Sequence, residues 1–264
     1  TASDAASETV SNTFDIKVLL NAAKMMSAQG FQPLNASSLA SYDRSNTDMS
    51  GAQMENADLG DYNLAGSNLT GANLKGATLT TTDLTGANLT GADLRGVDLT
   101  SSVMTNAILT NADLTVNGNT VANLTSANLV GADLTGANLT GANLTGTDFS
   151  DTNSTTDVVT AANLTSAILT SANLASQDLT GVDFEKADLS GADLTGADLE
   201  NAILTGAKLI TDGTNTVKLM GATLTGAKLS KADLTGADLG LNSAVKTNLV
   251  GADLTGAILK NADL

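Results

Sequence analysis

The chain has 264 residues, a formal net charge of −16 at pH 7, and neither Cys nor His. The absence of both residue types excludes disulfides, cysteine nucleophiles, imidazole bases and Cys/His zinc sites. Hydrophobic residues make up 42% of the chain but aromatic residues only 2%, so the composition predicts a core of Leu and Ala rather than of large rings.

The acidic composition favours a protein that neither binds nucleic acid directly nor inserts into a membrane. No apolar run approaches the roughly 18 residues that a transmembrane helix needs. The chain begins Thr1-Ala2-Ser3 without Met, as a chain does after removal of a signal peptide or cleavage of a tag. We therefore expect an exported protein (extracellular, cell-surface or periplasmic), with a cytoplasmic location as the alternative.

Residues 1–46 do not repeat and are predicted to form a cap or docking segment. Helix start signals near residue 13, Gly30 as a stop signal and a Pro soon after predict a helix. On that helix Phe14, Val18 and Met25 would fall on one face. Alternating apolar residues in the first half leave a strand followed by a short helix as the alternative. Either structure is apolar enough to cover the open end of a repeat array.

Residues 47–264 repeat with a period of five. Counting from Met49 to Leu264 gives 44 units, of which 34 are centred on Leu. Ala usually stands two residues before the centre, Asp or Asn stands one before it, and Thr or Ser and then Gly often follow. A period of five suits neither a helix nor a long strand. A short extended piece with inward Ala and Leu, followed by a Thr-Gly corner, does fit it.

The stretch GADLTGANLTGANLT, residues 131–145, resembles the A(D/N)LXX motif of the pentapeptide-repeat family. The resemblance spans residues 47–264 and implies an all-β fold, a right-handed quadrilateral parallel β-helix. Four units would form one coil, so that 44 units make about 11 coils stacked at a spacing of about 4.8 Å. The N-terminal segment would then be a small, partly helical cap on this solenoid.

Four segments depart from the repeat, namely 115–121, 150–160, 211–217 and 241–247. Each is rich in loop-forming residues, yet the frame of five resumes after every one of them. They are either degenerate rungs that keep their place in the coil, or insertions of five or ten residues that bulge from a corner. The preserved frame favours degenerate rungs.

An Asp ladder is the one candidate metal site. If four units make each coil, residues 20 apart stack, and Asp93, Asp113 and Asp133 lie above one another on one face. Stacked carboxylates repel each other, and a bound Ca²⁺ ion would relieve that repulsion. The alternative is that Asp is simply accepted at an outward position. No catalytic or cofactor-binding constellation stands apart from the repeat, so we expect a protein that is not an enzyme and needs no cofactor.

Two functions are compatible with these patterns. The first is a structural protein whose rods associate with copies of themselves, end to end, into a fibre or scaffold, because an uncovered last coil offers unpaired backbone groups. Its predicted assembly interface consists of Leu254, Leu259, Leu264, Phe14, Val18 and Met25. Alternatively the last coil frays or is covered by residues 1–10. The second function comes from the resemblance: some family members are acidic DNA mimics that bind a type II topoisomerase (gyrase), which implies a DNA-binding protein as partner.

Overall fold

A computed structural model describes residues 43–149, 161–243 and 245–264. The backbone of these residues winds into a four-sided parallel β-helix, in which each side pairs with the coils before and after it through single bridge residues. The bridge residue is the one immediately before each repeat centre. We name the sides in chain order by their first bridge residues: face A begins at Asp43, face B at Asp48, face C at Gln53 and face D at Asp58.

Each rung is held to the next coil by backbone hydrogen bonds. Leu64 N donates to Asp83 O at 2.7 Å, and Gly66 N donates to Thr85 O at 2.8 Å. A turn then closes the corner, because Ser67 N donates to Leu64 O at 3.0 Å. Gly66, the third residue of this turn, has a φ of +64°, which is why Gly is common at the corner position.

The interior is a continuous column of Leu and Ala. Repeat centres such as Leu94 and Leu139 are fully buried, as are the Ala residues two positions before them. Asp and Asn between these positions point outward. The inward and outward assignment predicted from the period of five is therefore confirmed, and the fold is all-β in the described residues.

The extended strands of the described chain are short. Strand β1 is Leu241–Asn242 and strand β2 is Val245–Lys246, and they form an antiparallel hairpin with Leu241 opposite Lys246. The described residues contain no helix. The partly helical cap predicted for residues 1–46 lies almost entirely outside the described residues, and the first described bridge joins Asp43 to Asn63.

Three irregular segments are insertions at corners, so the prediction of degenerate rungs is wrong for them. Bridges normally join residues 20 apart, as Asp48 joins Asn68. The separation rises to 25 or 30 residues across each irregular segment, in the pairs Asp98–Asn123, Asp133–Asn163, Asp193–Lys218 and Thr223–Asn248. The segments 115–121, 211–217 and 241–247 each add five residues. Segment 150–160 itself lies outside the described residues, but its flanking bridge accommodates ten extra residues.

These insertions also change the number of coils. Faces B, C and D each carry ten stacked bridge positions. The described residues therefore make ten coils, which span about 43 Å at the usual spacing of strands, rather than the 11 counted on the assumption that every unit is a rung.

The three described insertions share one turn. We name them loop 1 (115–121), loop 2 (211–217) and loop 3 (241–247). In loop 1, Asn117 N donates to Thr120 O at 2.8 Å and Thr120 N donates back to Asn117 O at 3.0 Å. The first central residue has a positive φ, +61° at Gly118, +100° at Gly213 in loop 2 and +57° at Ser243 in loop 3. This is the geometry of a two-residue hairpin.

Each loop folds back over the corner of the preceding coil. A β-carbon built at Gly96 would lie 2.6 Å from the β-carbon of Asn117 in loop 1. One built at Gly221 would lie 2.8 Å from the β-carbon of Asn242 in loop 3. Loop 2 repeats the arrangement with Asp212 against Gly191. The loops are seated where the corner residue has no side chain, so a loop residue can approach the main chain of the corner closely.

Polar residues at the inward position concentrate on one face. Four of the five buried ones, Thr82, Ser102, Thr147 and Gln177, lie on face A. Thr82 Oγ1 donates to Leu59 O at 2.8 Å and Thr147 Oγ1 donates to Leu124 O at 2.9 Å, each on the coil before. The Gln177 amide lies 2.9 Å from both Thr147 O and Gly146 N. Face A is thus distinguished from the other three faces by its inward polar residues.

Candidate interaction surfaces

The outward Asp or Asn of each rung stabilises the turn that follows it through a local hydrogen bond. Its side-chain oxygen accepts a hydrogen bond from the backbone N–H two residues later, as in Thr100 N to Asp98 Oδ1 at 3.1 Å and Thr195 N to Asp193 Oδ1 at 3.0 Å. Asp and Asn are the residues that make this bond to their own backbone. Their abundance on the surface therefore follows from the turn and does not by itself indicate a binding site.

The predicted ladder of Asp93, Asp113 and Asp133 does not form, because loop 1 shifts the register by five residues. Asp93 pairs with Asp113 on face C, but Asp113 pairs with Asn138, and Asp133 lies on face B between Ile108 and Asn163. Arg95 lies between the two stacked carboxylates, 2.5 Å from Asp93 Oδ2 and 3.8 Å from Asp113 Oδ2. Its hydrogen bond holds the pKa of Asp93 below the usual value. A cation already occupies the position that the prediction assigned to Ca²⁺.

Across the described ranges, no group of three or more acidic side chains is arranged to hold a metal ion. No helix in these ranges is long and apolar enough to cross a membrane.

Charge is distributed unevenly around the four faces. With the loops left out, faces A and D, which are adjacent, together carry twelve carboxylates and two cationic side chains, whereas faces B and C carry ten and seven. Loop 3 adds Lys246 at the corner between faces D and A. We name faces A and D the acidic side. Its carboxylates are Asp43, Asp58, Asp61, Asp83, Asp98, Asp148, Asp178, Asp193, Asp198, Glu200, Asp238 and Asp263.

Four of the seven cations on faces B and C form ion pairs with carboxylates of the same or the preceding coil. Lys208 Nζ lies 3.2 Å from Asp188 Oδ2 on the preceding coil, and Lys75 Nζ lies 3.4 Å from Glu55 Oε1. The side chains in these pairs are partly exposed, so each pair contributes little to stability. The cations neutralise most of the negative charge of face C. The negative electrostatic potential of the rod is therefore concentrated on the acidic side.

Loop 2 is anchored by its Asp212 carboxylate. Asp212 Oδ1 accepts hydrogen bonds from Asn215 N at 2.6 Å and Thr214 N at 2.8 Å. Its other oxygen accepts from the Ser171 hydroxyl on a preceding coil. The Asn215 and Ser171 bonds hold the pKa of Asp212 far below its usual range. Loops 1 and 2 both leave the rod at the corner between faces C and D.

The predicted assembly interface is described only in part. Leu254 and Leu259 are half-buried in the last coil, and Leu264 is 78% exposed. Phe14, Val18 and Met25 lie outside the described residues. Contact between the C-terminal Leu residues and these N-terminal residues, in one chain or between two copies, stays a prediction.

Comparison with known proteins identifies the fold family. A family model described as pentapeptide repeats matches in eight copies over residues 47–86, 82–115, 122–153, 160–196, 183–210, 218–240 and 243–264. The chain belongs to the pentapeptide-repeat family. The resemblance seen in the sequence is confirmed. The interruptions in the match fall at or beside loops 1 to 3 and segment 150–160.

Two solved pentapeptide-repeat structures resemble the chain. HetL from the cyanobacterium Nostoc sp. strain PCC 7120, involved in heterocyst differentiation regulation, is 35% identical, with 91% of this chain and 92% of that chain covered and a TM-score of 0.57. QnrB1, a plasmid-mediated fluoroquinolone resistance protein, is 18% identical, with 80% and 93% covered and a TM-score of 0.50. The QnrB1 likeness shows the fold alone. No curated protein matches the chain significantly.

Pentapeptide-repeat proteins are right-handed β-helices and are generally non-enzymatic structural or interaction proteins. Sequence reasoning missed the two features that distinguish this member, the seated loops and the acidic side. A signal for the loops was present, because the centres Asn119, Thr214 and Ala244 lack a large apolar side chain. The acidic side depends on which rungs share a face, so it appears only once the loop lengths are known.

Proposed function

We propose that the protein is a non-enzymatic rod that binds a basic protein partner along its acidic side. The observation that carries this proposal is the concentration of negative charge on faces A and D, with twelve carboxylates against two cations. An electrostatic potential of one sign along an extended surface attracts and orients a partner that carries the opposite charge.

The charge density is comparable with that of one side of a DNA duplex. Duplex DNA carries about one negative charge per 1.7 Å, so a length of about 43 Å carries about 25 charges and presents roughly half of them to a groove. The rungs of the acidic side have a net charge of −10 over the same length, or −9 when Lys246 of loop 3 is included. The comparison supports a partner that normally holds DNA, and a type II topoisomerase (gyrase) is the specific candidate expected from the sequence.

A gyrase supercoiling assay tests the named partner. We expect the rod to inhibit supercoiling, or to protect the enzyme from an inhibitor, with an effect that weakens as salt is raised. Absence of both inhibition and protection would remove gyrase as the partner.

A matched pair of triple variants tests the acidic side itself. Asp83→Asn, Asp98→Asn and Asp198→Asn remove three charges from faces A and D. Asp133→Asn, Asp183→Asn and Asp233→Asn remove three charges from faces B and C, and in all six cases Asn keeps the oxygen that accepts the local backbone hydrogen bond. We expect binding to a basic partner to weaken in the first variant only. Equal weakening in both would mean that net charge, rather than the acidic side, determines binding.

End-to-end self-association is a second candidate function. It is supported by the last described coil, where Leu254 and Leu259 are only half-buried and Val250 is 69% exposed. An open coil edge can pair with another chain through backbone hydrogen bonds. Sedimentation and electron microscopy should show oligomers that disappear in Leu259→Asp. Isolated short rods at every concentration would contradict the proposal.

Export of the protein from the cell also stays a prediction, and cell fractionation would test it.

A further inference from the structure

The three seated loops place a short dipeptide at one equivalent position. The dipeptides are Asn117-Gly118 in loop 1, Asp212-Gly213 in loop 2 and Asn242-Ser243 in loop 3. In each loop the first residue lies over the corner glycine of the preceding coil, and the second has a positive φ. The chain thus offers three different dipeptides in one backbone setting.

We propose that Asn117 is a modification site, at which the chain deamidates spontaneously through a cyclic imide with Gly118. The Gly118 backbone nitrogen loses its proton and attacks the Asn117 side-chain carbonyl carbon. A new carbon–nitrogen bond closes a five-membered ring, the bond to Nδ2 breaks, and the side-chain nitrogen leaves as ammonia. Water then opens the ring at either carbonyl, which gives aspartate or isoaspartate. Solvent water is the only co-reactant, and no electrons are transferred.

The reacting groups of loop 1 are not held by hydrogen bonds within the described residues. Gly118 N donates no hydrogen bond to any described residue, and no atom lies within 4 Å of a β-carbon position built at Gly118. The Asn117 side chain also makes no hydrogen bond within the described part of the chain. This is the only Asn-Gly pair in the sequence. The attacking nitrogen is therefore exposed, unpaired and next to a residue without a side chain.

The equivalent residues of the other loops lack one of these conditions. In loop 2 the Asp212 carboxylate is held by Ser171, Thr214 and Asn215, and its lowered pKa keeps it ionised, so it has no good leaving group. In loop 3 the side chain of Ser243 crowds the nitrogen that would attack Asn242.

Most Asn residues on the faces are protected differently. The residue after them is a repeat centre whose N–H donates to the next coil, as Leu69 N donates to Asn88 O at 2.7 Å. Attack by that nitrogen would require breaking the coil-to-coil hydrogen bond. Asn248, in the last coil, is followed by the bulky side chain of Leu249, which hinders attack by its backbone nitrogen. We therefore expect these Asn residues to keep their amides.

The modification changes both charge and shape at the corner between faces C and D. Either product makes the chain one unit more negative than its formal −16. Aspartate gives loop 1 the residue type that loop 2 already has. Isoaspartate adds a carbon to the main chain between the two hydrogen bonds that join Asn117 and Thr120, so it should unseat loop 1 from Gly96.

Incubation of the folded full-length chain in mildly alkaline buffer, followed by peptide mapping, tests the proposal. We expect loss of the amide at Asn117 first, with an isoaspartate signal, while Asn242 and the face Asn residues are retained. The variant Gly118→Ser recreates the dipeptide of loop 3 and should slow conversion to the rate of Asn242. A parallel sample unfolded in urea gives the unrestrained rate. Conversion in urea but not in the folded chain would overturn the proposal, as would equally fast conversion at another Asn.

Discussion

Gly96 provides a direct test of how loop 1 is seated. A β-carbon at Gly96 would meet the Asn117 β-carbon at 2.6 Å and the Thr120 carbonyl oxygen at 3.1 Å. Gly91, one corner earlier, has the same φ of +63° and no atom within 4 Å of its β-carbon position. Gly91→Ala therefore measures backbone strain alone, whereas Gly96→Ala measures the same strain together with the contact to loop 1.

The expected magnitudes follow from these two contributions. A β-carbon in the left-handed region costs about 1 kcal/mol, and both variants bear that cost. The Gly96→Ala contact of 2.6 Å is about 1 Å shorter than an ordinary carbon–carbon contact. Rotation of a side chain cannot relieve it, because the β-carbons of both residues are fixed to the main chain. Overpacking of this kind adds about 1–3 kcal/mol. We expect a loss of about 1 kcal/mol for Gly91→Ala and about 2–4 kcal/mol for Gly96→Ala.

Urea unfolding followed by circular dichroism measures the loss for the whole rod. Amide hydrogen exchange at Asn117 and Thr120 reports on loop 1 separately, which matters because repeat arrays can open locally. Faster exchange at Thr120 is expected in Gly96→Ala and unchanged exchange in Gly91→Ala. Equal free-energy losses with unchanged exchange in both variants would refute the seating of loop 1 on Gly96.

Further predictions concern the rungs, the core and the effect of pH. Deleting residues 116–117 and 119–121 leaves the regular repeat sequence LTGANL, and urea unfolding should show stability equal to or above the parent; a partly unfolded product would mean that loop 1 is a rung. Ser102→Ala removes a buried hydroxyl that has no hydrogen-bond partner among the described residues and should raise the free energy of unfolding by about 1 kcal/mol; a decrease would reveal a partner. Leu139→Asp buries a charge at a fully buried centre and should cost about 3 kcal/mol or more; an unchanged melting temperature would contradict the inward assignment. The Ser230 hydroxyl lowers the pKa of Asp253 from 3.8 to about 2, so the stability it contributes is complete above pH 3.8 and is lost as the pH falls through 2; Asp253→Asn should flatten that part of the stability–pH profile, and an identical profile would argue against the bond.

The path of one rung could be predicted from the sequence because it depends only on neighbours within five residues. Leu139 is inward, Asn138 is outward and Gly141 turns the corner for reasons that are local. The same local rules account for the bond from Thr140 N to Asn138 Oδ1 at 3.1 Å. Nothing outside the repeat is needed for these features, so the sequence pattern was sufficient to predict the path of a rung.

The stacking of coils could not be predicted in the same way because it depends on counting rungs across the loops. A loop of five residues leaves the frame intact, so the frame cannot distinguish Asn119 as a rung centre from Asn119 in a hairpin turn. The difference moves Asp133 from face C to face B and removes the predicted metal site. The deciding contact is between Asn117 and Gly96, 21 positions apart, and no local pattern encodes it.

The polar column inside face A has a consequence for how such a chain finds its register during folding. Near-identical units could close a coil one rung early or late and still place Leu against Leu. A shift of one rung would carry Thr82 and Thr147 away from the carbonyl groups of Leu59 and Leu124. Each hydroxyl would then meet the carbonyl of a different repeat centre, so no single hydrogen bond fixes the register, but the polar column of face A would be divided between two faces. The inward polar side chains thus distinguish one side of the solenoid from the other three in an otherwise nearly uniform core.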